Sequence, residues 1–221
     1  MTYSDSHPDS VLRRQRRPEA RPDEILDAAF EVFGDQGFAR ARLDDVARLA
    51  GVCKGTLYLY FSSKEELFRE MVRARVVINI ATGEELLRSH RGSSRELLEL
   101  MAARMWELLR KPATAKLARL VTSELANFPE LARFYFDEVI IPTRRLLERA
   151  ITRGIESGEF RPVDVPLAAR TIALSLVHWA QYQRFFGVYD SVHYTDDQVR
   201  IGLLDLLSHT LIAPPGESRE G

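Results

Sequence analysis

From Leu43 to Phe68 the chain reads LDDVARLAGVCKGTLYLYFSSKEELF, and the rest of the sequence can be placed around this stretch. Leu43, Val46, Ala47 and Ala50 recur at the spacing of one helical face. Asp44 and Asp45 fall in the first turn, where the positive end of the helix dipole favours carboxylates. Gly51 stops this short helix. Cys53 to Phe61 has the pattern of a second: Leu57 and Phe61, four apart, face inward, and Lys54 and Tyr58, also four apart, face outward. Ser62 or Ser63 then caps a longer helix that starts near Lys64, with Glu65 and Glu66 in its first turn. Two short helices joined through Ala50-Gly51-Val52 make a helix-turn-helix, whose tight turn needs the positive φ that glycine accepts.

Upstream, Pro22 suits the start of a helix in which Ile25, Ala29 and Phe33 recur at four-residue spacing beside Leu26 and Phe30. Gly37 ends it as a left-handed cap. Residues 1–21 carry the run Arg13, Arg14, Arg16, Arg17 and no face that could be buried. They read as a disordered basic arm, either a solvated leader or an arm reaching a nucleic-acid backbone or minor groove.

Downstream the pattern is helical throughout. Leu97, Met101, Met105 and Leu108 share a face before Pro112 breaks the chain, and Leu117, Leu120, Val121 and Leu125 repeat it. Pro129 opens a further helix, and Pro142 is expected to kink or split it. Helices are expected at about 166–186 and 195–212, before a polar tail. No stretch alternates as a strand does. The expected fold class is all-α: a helix-turn-helix domain at 22–68, a helical ligand-binding and dimerisation domain at 69–213, and tails at 1–21 and 214–221.

Composition narrows the classes further. The chain has 31 Lys+Arg, 32 Asp+Glu and 45% hydrophobic residues, the balance of a globular protein. Its single cysteine, Cys53, excludes a disulfide framework and a multi-cysteine zinc site. The charge-free run between Arg170 and Arg184 falls short of the roughly 20 residues of a membrane span. The polar, arginine-rich start has no signal-peptide character, so a cytoplasmic location is expected. Phosphate-binding glycine loops, HExxH, Gly-x-Ser-x-Gly and Glu-x-x-His pairs are missing, and the five histidines are scattered. No catalytic residues, metal or cofactor are expected. A helical-bundle enzyme, or an adaptor that does not bind DNA, is the alternative class.

In a helix-turn-helix the second helix enters the DNA major groove. Lys54 and Lys64 can neutralise phosphates. Tyr58 and Tyr60 have polar tips that can donate to phosphate oxygens, or they can simply pack. Gly55 removes a side chain where the helix must approach closely. Thr56 offers a hydroxyl and a methyl that can meet a thymine methyl. Leu59 can touch a base or fold back onto the domain.

These residues, from Leu43 through Ala50-Gly51-Val52, Gly55-Thr56-Leu57-Tyr58, Tyr60-Phe61 and Lys64-Glu65-Glu66-Leu67, resemble the DNA-binding domain of the TetR (tetracycline-repressor) family. The likeness covers about residues 22–70. It implies double-stranded operator DNA as partner and the contact roles just given. Two positions depart from the pattern. Cys53 stands where serine is usual and caps less well. Arg42 replaces the common threonine or serine cap and brings a cation to the duplex backbone.

The helices at 166–186 and 195–212 are apolar nearly all round, which predicts pairing with their copies across a two-fold axis. The resemblance points the same way, and two-fold symmetry would match a palindromic operator. It also implies a small-molecule pocket among Met101, Met105, Trp106, Phe134, His178, Trp179 and Tyr182, near Phe128 and Tyr135. Such walls suit an apolar or aromatic effector, although at helical spacing the same residues also make ordinary core. His178 is the best polar candidate, or else a core or interface histidine. The expected function is a ligand-responsive repressor that its effector releases from DNA.

Overall fold

The computed structural model describes residues 21–212; the basic arm before them and the tail after them lie outside the described residues. The order is α1 (Arg21–Gln36), α2 (Leu43–Ala50), α3 (Lys54–Tyr60), α4 (Lys64–Ser89), α5 (Ser94–Arg110), α6 (Pro112–Glu124), α7 (Pro129–Tyr135), α8 (Ile141–Glu156), α9 (Val165–Phe185) and α10 (Asp196–Leu211). Among the described residues the one β feature is an antiparallel bridge between Phe160 and Ile212, which ties the loop after α8 to the end of α10.

Helix boundaries follow local chemistry. Ser63 caps α4 by accepting from Glu66 N, and Ser93 and Glu96 form a reciprocal capping box on α5. Pro112 and Pro129 stand in the first turns of α6 and α7, where a missing N–H costs nothing. The break expected at Pro142 is absorbed rather than made. Residues 136–140 widen into a π-helical turn, and Pro142 enters α8 in its first turn. The wider turn accommodates the ring without ending the helix.

The apolar side chains form two cores. The head core joins α1–α4 to α6 and α7 through Phe33, Phe38, Leu57, Phe68, Leu120 and Leu131. Phe38 lies edge-on to Phe68 and Phe128, with centroids 5.3 and 4.9 Å apart. The body core joins α5, α8 and α9 through Leu97, Trp106, Leu147, Ile151 and Leu176. Each fully buried Leu or Phe stabilises these cores by about 1.5–3 kcal/mol. α4 serves both cores: Leu67, Phe68, Met71 and Val72 lie in the head, and Ile80, Leu86 and Leu87 pack on the body. α4 therefore couples the two, as does the unbroken run from α7 into α8, which leaves the head core after Val139 and enters the body core at Leu146; the head core runs on past residue 68.

Candidate nucleic-acid interface

The turn between α2 and α3 is built by the backbone. Gly51 takes φ 65°, ψ 34°, and its N–H donates to Arg48 O while Val52 N donates to Ala47 O. This paired closure requires the left-handed conformation that a side chain disfavours. α3 then leaves at an angle set by Leu57 and Phe61, both buried in the head core.

The opposite side of α3 faces outward. Tyr58 and Tyr60 are exposed, and Leu59 is 84% exposed, so it does not fold back onto the domain. A Cβ added at Gly55 would meet nothing within 4 Å. Nor does Gly55 take a positive φ. Nothing within the fold therefore asks for glycine here, at an intrinsic helix cost of about 1 kcal/mol.

Charges frame this face. Lys54 Nζ pairs with Asp44 at 2.8 Å across α2 and α3, both half exposed. The contact raises the lysine above its ordinary value and lowers the aspartate. Arg42 is exposed at the start of α2 and makes no side-chain cap there. Cys53 caps nothing either; its Sγ lies 3.0 Å from Thr56 Oγ1, and that hydroxyl, with backbone N–H groups, pulls the thiol below its ordinary value. Thr56 is thus half-buried and already engaged.

Lys64 is a correction. Its ammonium donates to the carbonyls of Phe38, Ala39 and Ala41 at 2.8, 3.2 and 3.2 Å, and lies 4.6 Å from the centre of the Phe38 ring. Every proton is spent closing the chain between α1 and α2, so Lys64 is a strut rather than a phosphate contact.

The predicted effector residues do not form one group. Met101 and Trp106 are buried in the body core, with Met105 and Trp179 packed on it. Phe134 belongs to the head core instead, with the Arg69 and Arg73 guanidinium groups 5.6 and 5.1 Å from its ring centre. Helical spacing cannot show that α7 and the π turn pack on the head core while the body core is joined only from Leu146 in α8. His178 is exposed on α9, not enclosed in an apolar core. Tyr182 donates its hydroxyl to Asp190 at 2.8 Å. Among the described residues no group of three or more His, Cys, Asp or Glu could hold a metal ion, and no helix is long and apolar enough to cross a membrane.

The sequence reading missed a cleft of about 530 Å³ where the end of α5, the start of α6 and the end of α9 meet, lined by Arg110, Lys116, Arg119 and Arg184. Spread over three helices, these cations leave no local signal.

Residues 25–71 match the model of the bacterial regulatory proteins of the tetR family. Residues 96–201 match that of the C-terminal domain of AefR-like transcriptional repressors. The chain is 30% identical over 160 residues to the fatty acid metabolism regulator protein of Bacillus subtilis, covering 72% of this chain and 80% of that one. It is 28% identical over 154 residues to the repressor KstR2 of Mycobacterium tuberculosis, covering 69% and 76%. Among solved structures, FadR of Bacillus subtilis in complex with stearoyl-CoA superposes with a TM-score of 0.69 at 26% identity, over 85% of this chain and 98% of that one.

Proposed function

Since the chain belongs to the TetR family and is a ligand-responsive, DNA-binding transcriptional repressor, we propose that it grips its operator as a homodimer through α3 and is released by a long-chain acyl thioester of coenzyme A. The observation that carries the DNA contact is the outer side of α3: a glycine that its own fold does not need, between Lys54 and two exposed tyrosines. Lys54 and Arg42 meet phosphates, Tyr58 and Tyr60 donate to phosphate oxygens, Gly55 admits the groove wall, and Thr56 and Leu59 meet bases. Lys54 exchanges Asp44 for a phosphate as the duplex arrives.

The dimer reading rests on α9 and α10. Ala169, Ile172, Leu176 and Ala180 bury one side of α9, and Leu167, Leu174, His178 and Phe185 leave its other side uncovered. Ile201 and Leu206 extend that apolar surface on α10. Copies paired there present two α3 helices to successive grooves of a palindrome. His178 belongs to that contact.

The effector class comes from the relatives' names and from the body core. Met101, Met105, Trp106 and Trp179 are walls that an alkyl chain can part. Parting them shifts α4, which reaches from that core into the head. The coupling needed is about 1–3 kcal/mol.

A mobility-shift assay on the DNA upstream of the gene tests this reading. Binding is expected at nanomolar to micromolar levels with steep salt dependence, weakened about 5–150-fold by stearoyl-CoA and far less by coenzyme A or stearate alone. Unchanged binding with stearoyl-CoA sinks the effector assignment. Absence of salt-dependent binding sinks the whole reading.

A further inference from the structure

The cleft between α5, α6 and α9 is charged in one sense. Arg110, Lys116, Arg119 and Arg184 line it, and among the described residues no carboxylate does. Three carboxylates reach these cations from outside it. Asp196 pairs with Arg110 at 2.8 Å, and Glu31 and Asp35 pair with Lys116 at 2.5 and 2.8 Å. Among the described residues, Arg119 and Arg184 are left with backbone carbonyls only, Gly34 O at 3.3 Å and Leu109 O at 3.2 Å. Burial, then the neighbouring Arg110 and Arg119, pull the Arg184 guanidinium below its ordinary value. α6 begins beside them with no side-chain cap and no acidic residue in its first turn, which adds the positive end of its dipole. Arg110 and Lys116 have their carboxylates, but at Arg184 the crowding of like charge in a half-buried position is unfavourable until an anion enters.

We infer that this cleft binds a phosphate or diphosphate group carried by a small molecule, held by Arg119 and Arg184 with Arg110 and Lys116 beside them. The inference leans on the proposed function only for which molecule carries the phosphate; the site does not depend on an acyl chain.

Occupancy has a route to the DNA-binding head. α6 is stitched to α1 by Lys116 to Glu31 and Asp35, and by Arg119 to Gly34 O. Further along, Glu124 accepts from Ala39 N at 3.0 Å. A phosphate that draws Lys116 and Arg119 into the cleft loosens the first two of these ties, and α1 carries that change to α2 and α3.

Trp106, whose ring centre lies 6.0 Å from the Arg110 guanidinium, reports on the site. Full-length protein carrying Trp179→Phe is titrated with inorganic pyrophosphate, coenzyme A and, at matched ionic strength, sulfate. Saturable change in Trp106 fluorescence is expected with pyrophosphate and coenzyme A, at lower concentrations than with sulfate. It should weaken about tenfold or more in Arg119→Gln and in Arg184→Gln, with melting temperature and oligomeric state unchanged. Equal titrations in the variants, or pyrophosphate no better than sulfate, overturn the site. So does a variant that falls to monomer with unaltered pyrophosphate binding, because the cations then serve a second copy. Operator affinity that drops in either variant before any ligand is added also overturns it, in favour of the duplex itself. If pyrophosphate binds here but stearoyl-CoA does not release DNA, the effector assignment fails and the cleft stands. The reverse result sinks the cleft alone.

Discussion

α3 and α9 both leave large apolar side chains uncovered, in opposite company. On α3, Tyr58, Leu59 and Tyr60 stand among Lys54, Arg42 and an open glycine. On α9, Leu167, Leu174 and Phe185 stand with Arg170, Thr171 and His178, and α10 adds Ile201, between Asp197 and Asp205, and Leu206. A face that mixes cations, hydroxyls and a missing side chain suits a wet, charged partner whose groove must come close. A face whose large side chains are leucine, isoleucine and phenylalanine, with charges at its margins, suits a contact with its own copy that is dry at the centre. Exposure alone says only that something is to be covered; the neighbouring chemistry says by what.

The contrast breaks most visibly at Leu174. Leu174→Arg puts an unpaired charge into the proposed α9 contact and is expected to cost about 3 kcal/mol or more of dimer stability. Sedimentation should show monomers, and operator affinity should fall roughly 100-fold with it. A dimer that persists removes α9 from the interface.

Two lysines sharpen the α3 side. Lys64→Met is expected to lower the unfolding free energy by about 2 kcal/mol, through the carbonyls of Phe38, Ala39 and Ala41 left without a donor. The salt dependence of DNA binding should not change. Lys54→Ala should do the converse: stability holds, operator affinity falls by about 1 kcal/mol, and the salt slope drops by roughly one unit. Identical behaviour of the two variants would erase the distinction between strut and contact.

The smallest effect lies away from both faces. Burial works to raise the Glu159 carboxyl, but the Ser94 and Arg95 N–H groups at the start of α5 outweigh it and hold the group below its ordinary value. Such a carboxylate stabilises fully above the ordinary value of 4.5 and loses its contribution as the pH falls through the lower folded value. Glu159→Gln is therefore expected to cost about 0.5–1 kcal/mol at pH 7. Thermal melts should show that gap closing as the pH drops below the carboxylate range, and a gap that widens there contradicts the assignment.

Much of this was legible in the residue order. Every helix was announced by period, proline or cap, and the turn at Gly51 by its glycine between two short apolar patterns. The outward side of α3 was legible because residues four apart on a helix share a side. Lys64 was not: its partners Phe38, Ala39 and Ala41 lie far back in the chain. Nor was the separation of Phe134 from Met101 and Trp106, which follows from how α7 docks on the head. The arginine cleft needed three helices to converge.

What the residue order settled by itself is what is local: hydrogen bonds and side-chain faces that repeat within a few residues along one helix, and with them the helix-turn-helix and its exposed α3 residues. What only the tertiary structure decided is which charges are spent and which are free. Coulombic and hydrogen-bond partners are chosen by distance in space, and two lysines ten positions apart meet different neighbours once α1 and α2 have packed against α3 and α4.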